Sequence, residues 1–401
     1  MLFFAIINSM YTTKIGLAPA IHDSFIASEP LGHLLQSSKW QEIKDNWNSE
    51  IIGFFDDDQL VASVSILIRP LPLGFTMLYL PRGIAMDYEN TALLDYIFEA
   101  LKKYGKSQKA IFIKFDPAIQ NLPENEKVIQ KLKNLGAKWM GLTAEMHDTI
   151  QPRFNAVVYK ADFDEEKFNK KTRQALRKAR NSHTIVKFGR DELLDDFSEM
   201  IQKTEHRKGI SLRNRDYFEK LVDTYQADAN ITMVYLDLKA LLIEAQTMFD
   251  QAQKAFETKE TTNEKKIKQL ENACSKAKKD LSVLTDLVQA NGDIVAVSSA
   301  LTVNFGTHTE HLYAGTDTDY QKYYTAYLAW FESIQYMFDR GAETVNMGGL
   351  ENSLLETDGL LKFKKNFNPK IEEYVGEFDI PVSRLLYPIV NKLYMMRKTR
   401  I

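Results

Sequence analysis

A chain of 401 residues is longer than one ordinary core requires, and at roughly 100–200 residues per domain two or three domains are expected. Its 51 Lys and Arg nearly balance 54 Asp and Glu, so the net charge of −3 excludes a whole-molecule field that would draw it to nucleic acid or anionic lipid; any such binding must come from local patches. The single cysteine, Cys274, excludes an intramolecular disulfide and fits a reducing cytoplasm.

The opening MLFFAIINSMY carries a short apolar run with no basic flank. At about 20 residues per crossing it cannot span a bilayer. It reads as a first strand, or as residues ahead of a start at Met10. No later segment is apolar for long enough either, so a soluble or at most peripheral protein is expected. LVASVSILIRPL, MLYLPRGI and AIFIKFDP read as strands and TALLDYIFEALKKYG as a helix, which makes the first 150 residues mixed α/β. After IQPRFNAVVYKA the pattern begins again. A helix is expected near 164–180, another around DYFEKLVDTY, then paired strands and a helix in YLAWFESIQYMFDRG, a second α/β unit of similar size.

That second unit is interrupted. Between strand-like runs near 231–237 and 293–305, Leu238, Leu241, Ala245, Met248, Ala252 and Ala255 recur at alternating steps of three and four, as do Ile267, Leu270, Cys274, Ala277, Leu281, Leu284 and Val288. Two such limbs joined by the polar TKETTNEK must fold back as an antiparallel helical hairpin. At ~1.5 Å per residue it would project on the order of 30 Å. The alternative is a helix pair lying flat on the domain, but the stripe is narrow and its flanks are charged, so the limbs are expected to bury each other and little else.

Three segments could carry chemistry. KFNKKTRQALRKAR has seven Lys or Arg and no acid, and Lys170, Arg173, Arg177 and Arg180 fall near one helical face, suited to a row of phosphates or simply solvated. HRKGISLRNRDYF gathers Arg207, Lys208, Arg213 and Arg215 around a turn, where arginine forks suit an anion or surface salt bridges. LLKFKKNFNP interleaves Phe363 and Phe367 with Lys362, Lys364 and Lys365; rings and amines together suit unpaired nucleotides, although a strand with one apolar and one basic face looks the same. P-loop, dinucleotide fingerprint, zinc spacing and nucleophile elbow are all missing, and the seven His are scattered, so no metal or cofactor is expected.

LLQSSKWQEIKDNW, LPRGIAMDYEN, IFIKFDP, TIQPRFNAVV, KKTRQALRKAR, RKGISLRNRDYF, the heptad insertion, HLYAGTDTDYQKYYTAYLAW, VNMGGLEN and LLKFKKNFNP followed by EYVGEF occur in an order that resembles the FemABX family of non-ribosomal peptidyl transferases over essentially the whole chain, most like its MurM and MurN members. The resemblance implies an α/β fold of two GNAT-like domains: 1–153, completed by 371–401, and 154–370, with a coiled-coil arm at 238–290 in the second. It implies transfer of an amino acid, serine or alanine before glycine, from aminoacyl-tRNA to the stem-peptide lysine amine, or to a preceding bridge residue, of a peptidoglycan precursor. The acceptor is lipid II, or its soluble nucleotide form UDP-MurNAc-pentapeptide. A cytoplasmic monomer is expected, with peripheral contact at the inner membrane face.

Carried across residue by residue, the family's W-x-x-[IV]-K-x-x-W motif matches Trp40, Lys44 and Trp47. Lys44 and Arg213 would hold the precursor diphosphate; Trp47, Tyr217 and Tyr313 would line the acceptor site. Phe363 and Lys364 would meet the tRNA 3′ end, Lys364 facing phosphate or the developing charge. Lys170, Arg173, Arg177 and Arg180 would track the acceptor stem, with the arm a second contact. Asp116 is a possible general base, but an Asp before Pro is more often a turn-former, and it stays outside this set. The rivals are an acyl-CoA-dependent N-acyltransferase, whose Gly-containing pyrophosphate loop is not found, and a non-enzymatic coiled-coil adaptor that binds a wall precursor.

Overall fold

A computed structural model describes residues 11–143 and 145–398; the opening apolar run lies outside them. Fourteen strands form two seven-stranded sheets among these residues. In chain order they are β1 (Tyr11–Ile15), β2 (Asn48–Asp56), β3 (Gln59–Pro70), β4 (Thr76–Leu80), β5 (Ala110–Phe115), β6 (Lys138–Trp139), β7 (Phe154–Tyr159), β8 (Thr184–Gly189), β9 (Ala229–Asp237), β10 (Ile294–Phe305), β11 (His308–Thr316), β12 (Thr344–Leu350), β13 (Lys370–Glu373) and β14 (Phe378–Pro381). The first sheet runs β1-β2-β3-β4-β5-β14-β6 and the second β13-β7-β12-β11-β10-β9-β8. Each has one parallel pair, β4 with β5 and β11 with β12. This is the two-unit α/β architecture expected. The boundary differs in one detail: residues 370–373 hydrogen-bond to β7 of the second sheet, and the chain returns to the first only at β14.

The helices are α1 (Pro19–Ser28), α2 (Ser38–Ile43), α3 (Thr91–Ser107), α4 (Glu126–Asn134), α5 (Lys170–Arg180), α6 (Leu194–Lys208), α7 (Arg215–Tyr225), α8 (Leu238–Glu257), α9 (Glu264–Asn291), α10 (Thr325–Asp339), α11 (Gly359–Lys365) and α12 (Leu386–Lys398). None of the described helices is long and apolar enough to cross a membrane. Helix α3 begins where Asn90 accepts the Leu93 amide, and its Leu94, Ile97, Phe98 and Leu101 cover one face of the first sheet. The return of β14 is held by a buried charge cluster. Lys114 lies 3.0 Å from Glu377 and 2.8 Å from Asp379. Burial alone would lower its pKa, but the two carboxylates outweigh it and the ammonium is held above its usual value.

Two features position the site. Leu34, Leu35, Trp40 and Ile43, from the first unit, sit in the same core as Phe218, Leu221, Val222 and Tyr225 of α7, and the Ser37 hydroxyl meets that of Tyr225 at 2.9 Å. The Lys44 segment is thereby fixed against the second unit. The arm is the α8–α9 hairpin, capped where Asp237 accepts the Ala240 amide and Asn263 those of Lys265 and Lys266. Its root is not free-standing as the heptad stripe implied: Leu241 and Leu284 are buried with Val234, Leu236, Val297 and Tyr320 of the second unit. Removing 240–289 would therefore open that core at a cost of about 2–5 kcal/mol per leucine. Replacing only 248–281 by a short Gly-Ser turn is expected to leave the melting temperature within a few degrees of the parent, as scanning calorimetry would show.

Candidate functional site

The structure brings four of the five expected acceptor-site residues together. The Lys44 amine lies 5.1 Å from the Trp40 ring, and the Arg213 guanidinium 5.1 Å from the Tyr217 ring. Burial first, and the neighbouring Arg213 second, hold the Lys44 pKa below the usual lysine range. Two neighbouring cations with no salt-bridge partner among the described residues suit an anion, since a ligand bringing negative charge would relieve their repulsion. Tyr217 hydrogen-bonds to Tyr313, their rings 6.2 Å apart, and burial raises the Tyr217 pKa. Trp47 is the exception. It packs with Leu67, Tyr79, Phe112 and Tyr387 on the first sheet and lies 5.6 Å beneath Arg69.

LLKFKKNFNP is a helix here, α11, started by Asp358, which accepts the Leu360 and Leu361 amides. Its spacing turns Lys362 and Lys365 outward and Lys364 inward, where it is 3% exposed and donates to the carbonyls of Gly348 and Gly349, each at 2.9 Å. Those carbonyls are available because β12 carries a bulge between Asn346 and Gly349, with Gly348 at φ +85°. Gly349 must lack a side chain, since a Cβ would stand 2.4 Å from Pro152. Burial pushes the Lys364 ammonium down to about 7; Asp358 opposes this and Lys208 adds to it. Lys208 ends α6, and the loop from it to Arg213 connects the two cation sites. Phe363 closes an aromatic wall with Tyr327, at 5.1 Å, and Trp330, at 5.5 Å.

Sequence reasoning missed His311 in HLYAG. A bulge at Leu312, where Leu301 pairs with Tyr313 and Thr302 with His311, sends the two side chains to opposite faces. Tyr313 joins Tyr217, while the His311 ring stacks on Trp330 at 3.9 Å, with Nε2 buried and without a hydrogen-bond partner among the described residues. Burial and then Lys364 hold the imidazole neutral, its pKa down to about 3. Also missed was a cavity of about 680 Å³ between the units, where the His33–Glu310 pair at 3.0 Å spans the junction and Glu310 in turn accepts from Asn346. It shares no lining residue with either cation site. Asp116 is buried and accepts from the Tyr79 hydroxyl at 2.9 Å and the Arg82 amide at 3.2 Å. Burial lifts its carboxyl to about 7 against the pull of Arg82.

On α5, Lys170, Arg173, Arg177 and Arg180 line one groove of about 500 Å³. Arg180 is committed within the fold: it pairs with Glu165 at 2.8 Å and Glu332 at 3.7 Å and stacks over Phe331. Arg215 is likewise taken up by Asp195 and Glu219. Lys170, Arg173 and Arg177 have no carboxylate partner among the described residues. If the stripe tracks a nucleic-acid backbone, Arg173→Gln with Arg177→Gln lowers the slope of log affinity for tRNA against log salt by about 1.5 to 2, measured by filter binding at several salt concentrations. An unchanged slope makes the stripe a solvated helix face.

The FemAB family model matches residues 17–395. A lipid II:glycine glycyltransferase of Staphylococcus haemolyticus (strain JCSC1435) is 29% identical over 403 residues, 95% of each chain. One from Staphylococcus aureus (strain MRSA252) is 27% identical over 394 residues, 93% of each. Among solved structures, the crystal structure of FemX superposes with a TM-score of 0.76 at 27% identity, covering 94% of this chain and 99% of that one.

Proposed function

The chain belongs to the FemAB family, and from that membership we propose that it transfers a small amino acid from aminoacyl-tRNA to an amine of the lipid II stem peptide, building the interpeptide bridge. The observation that carries this reading is the pair of cation sites joined by one loop. Lys44 and Arg213 suit an anion beside two tyrosines, and Lys364 has no carboxylate partner within salt-bridge distance among the described residues and is walled by aromatic rings. The first suits a diphosphate with an attached peptide. The second suits an acylated nucleotide end.

The reaction is aminolysis of an activated ester. The neutral acceptor amine attacks the ester carbonyl, a C–N bond forms, the bond to the ribose oxygen breaks, and the proton released by nitrogen balances the one gained by that oxygen. No protein nucleophile is required; positioning and stabilisation of the oxyanion are the protein's share. Lys364 supplies the charge, Phe363 and Trp330 keep water away from it, and Lys44 with Arg213 anchors the acceptor. The transferred residue is glycine in the names of the relatives, whereas the resemblance to MurM-like chains favours serine or alanine.

Offering the purified protein glycyl-, seryl- and alanyl-tRNA and acetyl-CoA, each with lipid II and with the soluble nucleotide acceptor, separates the readings by product mass. Gain of one amino-acid residue from a charged tRNA is expected. Acetylation instead would favour the acyl-CoA reading, and no change with any donor would favour an adaptor.

A further inference from the structure

We propose that one end of the first sheet is a docking surface for an anionic lipid bilayer. Three segments meet there. The turn between β3 and β4 places Leu71 and Phe75 against the cluster of Leu67, Met77, Phe112 and Tyr387, and the first turns of α12 place Leu386 and Val390 against the same cluster. The start of β5 lies between them: the Thr76 amide donates to the Lys109 carbonyl at 3.2 Å and the Ser383 amide to the Ile111 carbonyl at 3.0 Å. The side chains next to these anchors stay outside. Leu73 is 94% exposed, Leu385 85% and Ile389 58%. Leu73 is also held at φ +62°, which fixes the tip of the turn.

The segments that carry and flank these leucines are basic, while Asp45 and Glu50 are the nearest acids in the adjoining Trp47 segment. Residues 69–77, 102–112 and 382–398 contain no Asp or Glu. Arg69, Lys103, Lys106, Lys109, Arg384 and Lys392 are all exposed. A near-neutral protein has thus gathered basic side chains from three acid-free segments beside projecting aliphatic side chains, the combination that inserts shallowly between lipids while the cations meet anionic headgroups. A protein partner would need matching acidic surface; a bilayer needs only negative charge and depth. The position fits as well: Trp47, three residues after Lys44, packs on the same cluster, so the surface adjoins the anion site. That last link rests on the proposed lipid-linked acceptor, whereas the docking itself does not.

Flotation with vesicles tests it. The protein is expected to float with vesicles of phosphatidylglycerol and phosphatidylcholine and far less with phosphatidylcholine alone. The triple variant Leu73→Glu, Leu385→Glu, Ile389→Glu should lower partitioning at least about tenfold, and so should Arg69→Gln with Arg384→Gln. Transfer to the soluble nucleotide acceptor and the melting temperature should not change. Failure of the parent to float, or equal flotation of the variants, overturns the proposal while leaving the transfer assay to judge the function. A parent that sediments as a dimer and a triple variant that sediments as a monomer would overturn it in favour of a contact between copies.

Discussion

Lys364→Met is expected to lower turnover by about two to three orders of magnitude at saturating aminoacyl-tRNA, the range seen when a donor to a developing oxyanion is removed. A charge aimed at an atom that becomes negative only in the transition state acts on turnover more than on ground-state binding. The same change leaves the Gly348 and Gly349 carbonyls without their donor, a loss of about 1–3 kcal/mol in stability, so the melting temperature must be measured beside the kinetics. The pH dependence separates the two effects. Between about pH 7 and the usual lysine value near 10.4, the unfolded chain keeps a proton that folded Lys364 has released. This group's contribution to stability therefore rises with pH through that window and is lost as pH falls towards 7. Its cation is lost in the opposite direction, so turnover from this group should fall above pH 7 while stability does not. Turnover that stays flat in the parent to pH 9, with unchanged values in Lys364→Met, would remove Lys364 from the chemistry.

The second large effect is at the acceptor. Arg213→Ala and Lys44→Ala should each raise the Michaelis constant for a diphosphate-bearing acceptor about ten- to a hundredfold, the worth of one charge-assisted hydrogen bond, roughly 1.5 to 3 kcal/mol. The two effects should not add. Burial is the larger cause of the lowered Lys44 pKa and the neighbouring Arg213 the smaller; Arg213→Ala removes only the second, which changes how Lys44 meets an anion, and a double-mutant cycle should show coupling. A pentapeptide lacking the diphosphate should be used equally poorly by parent and variants. Variants that discriminate the diphosphate acceptor as well as the parent does would show that this pair holds something else.

Much of this arrangement is legible in the sequence because it follows from local periodicity. The three-four alternation that ends at Val288 points to a helical hairpin, and α8 and α9 are that hairpin. Lys44, Arg213, Tyr217 and Tyr313 come from the family resemblance and not from periodicity, and the shared core of Trp40, Phe218 and Tyr225 explains why residues so distant in sequence meet. What escaped depends on geometry that spacing does not encode. Strict alternation would set His311 and Tyr313 on one face, and a single inserted residue at Leu312 separates them. The strand-like alternatives for LLKFKKNFNP fail because Asp358 caps a helix there and Lys364 finds carbonyls released by another bulge. Arg180 looks like its neighbours along the stripe until Glu165 and Glu332 arrive from elsewhere in the chain. The root of the arm shows the same limit: a heptad stripe tells which residues face inward, not whether the partner is the other limb or the domain beneath.

The most direct test is the fragment mass spectrum of lipid II after incubation with the protein and a charged small-amino-acid tRNA, with and without ribonuclease treatment of the donor. The account predicts one added residue in amide linkage on the stem-peptide side-chain amine, or on a bridge residue already there, abolished by ribonuclease. Addition that survives ribonuclease, addition elsewhere on the molecule, or release of the free amino acid with lipid II unchanged would contradict it.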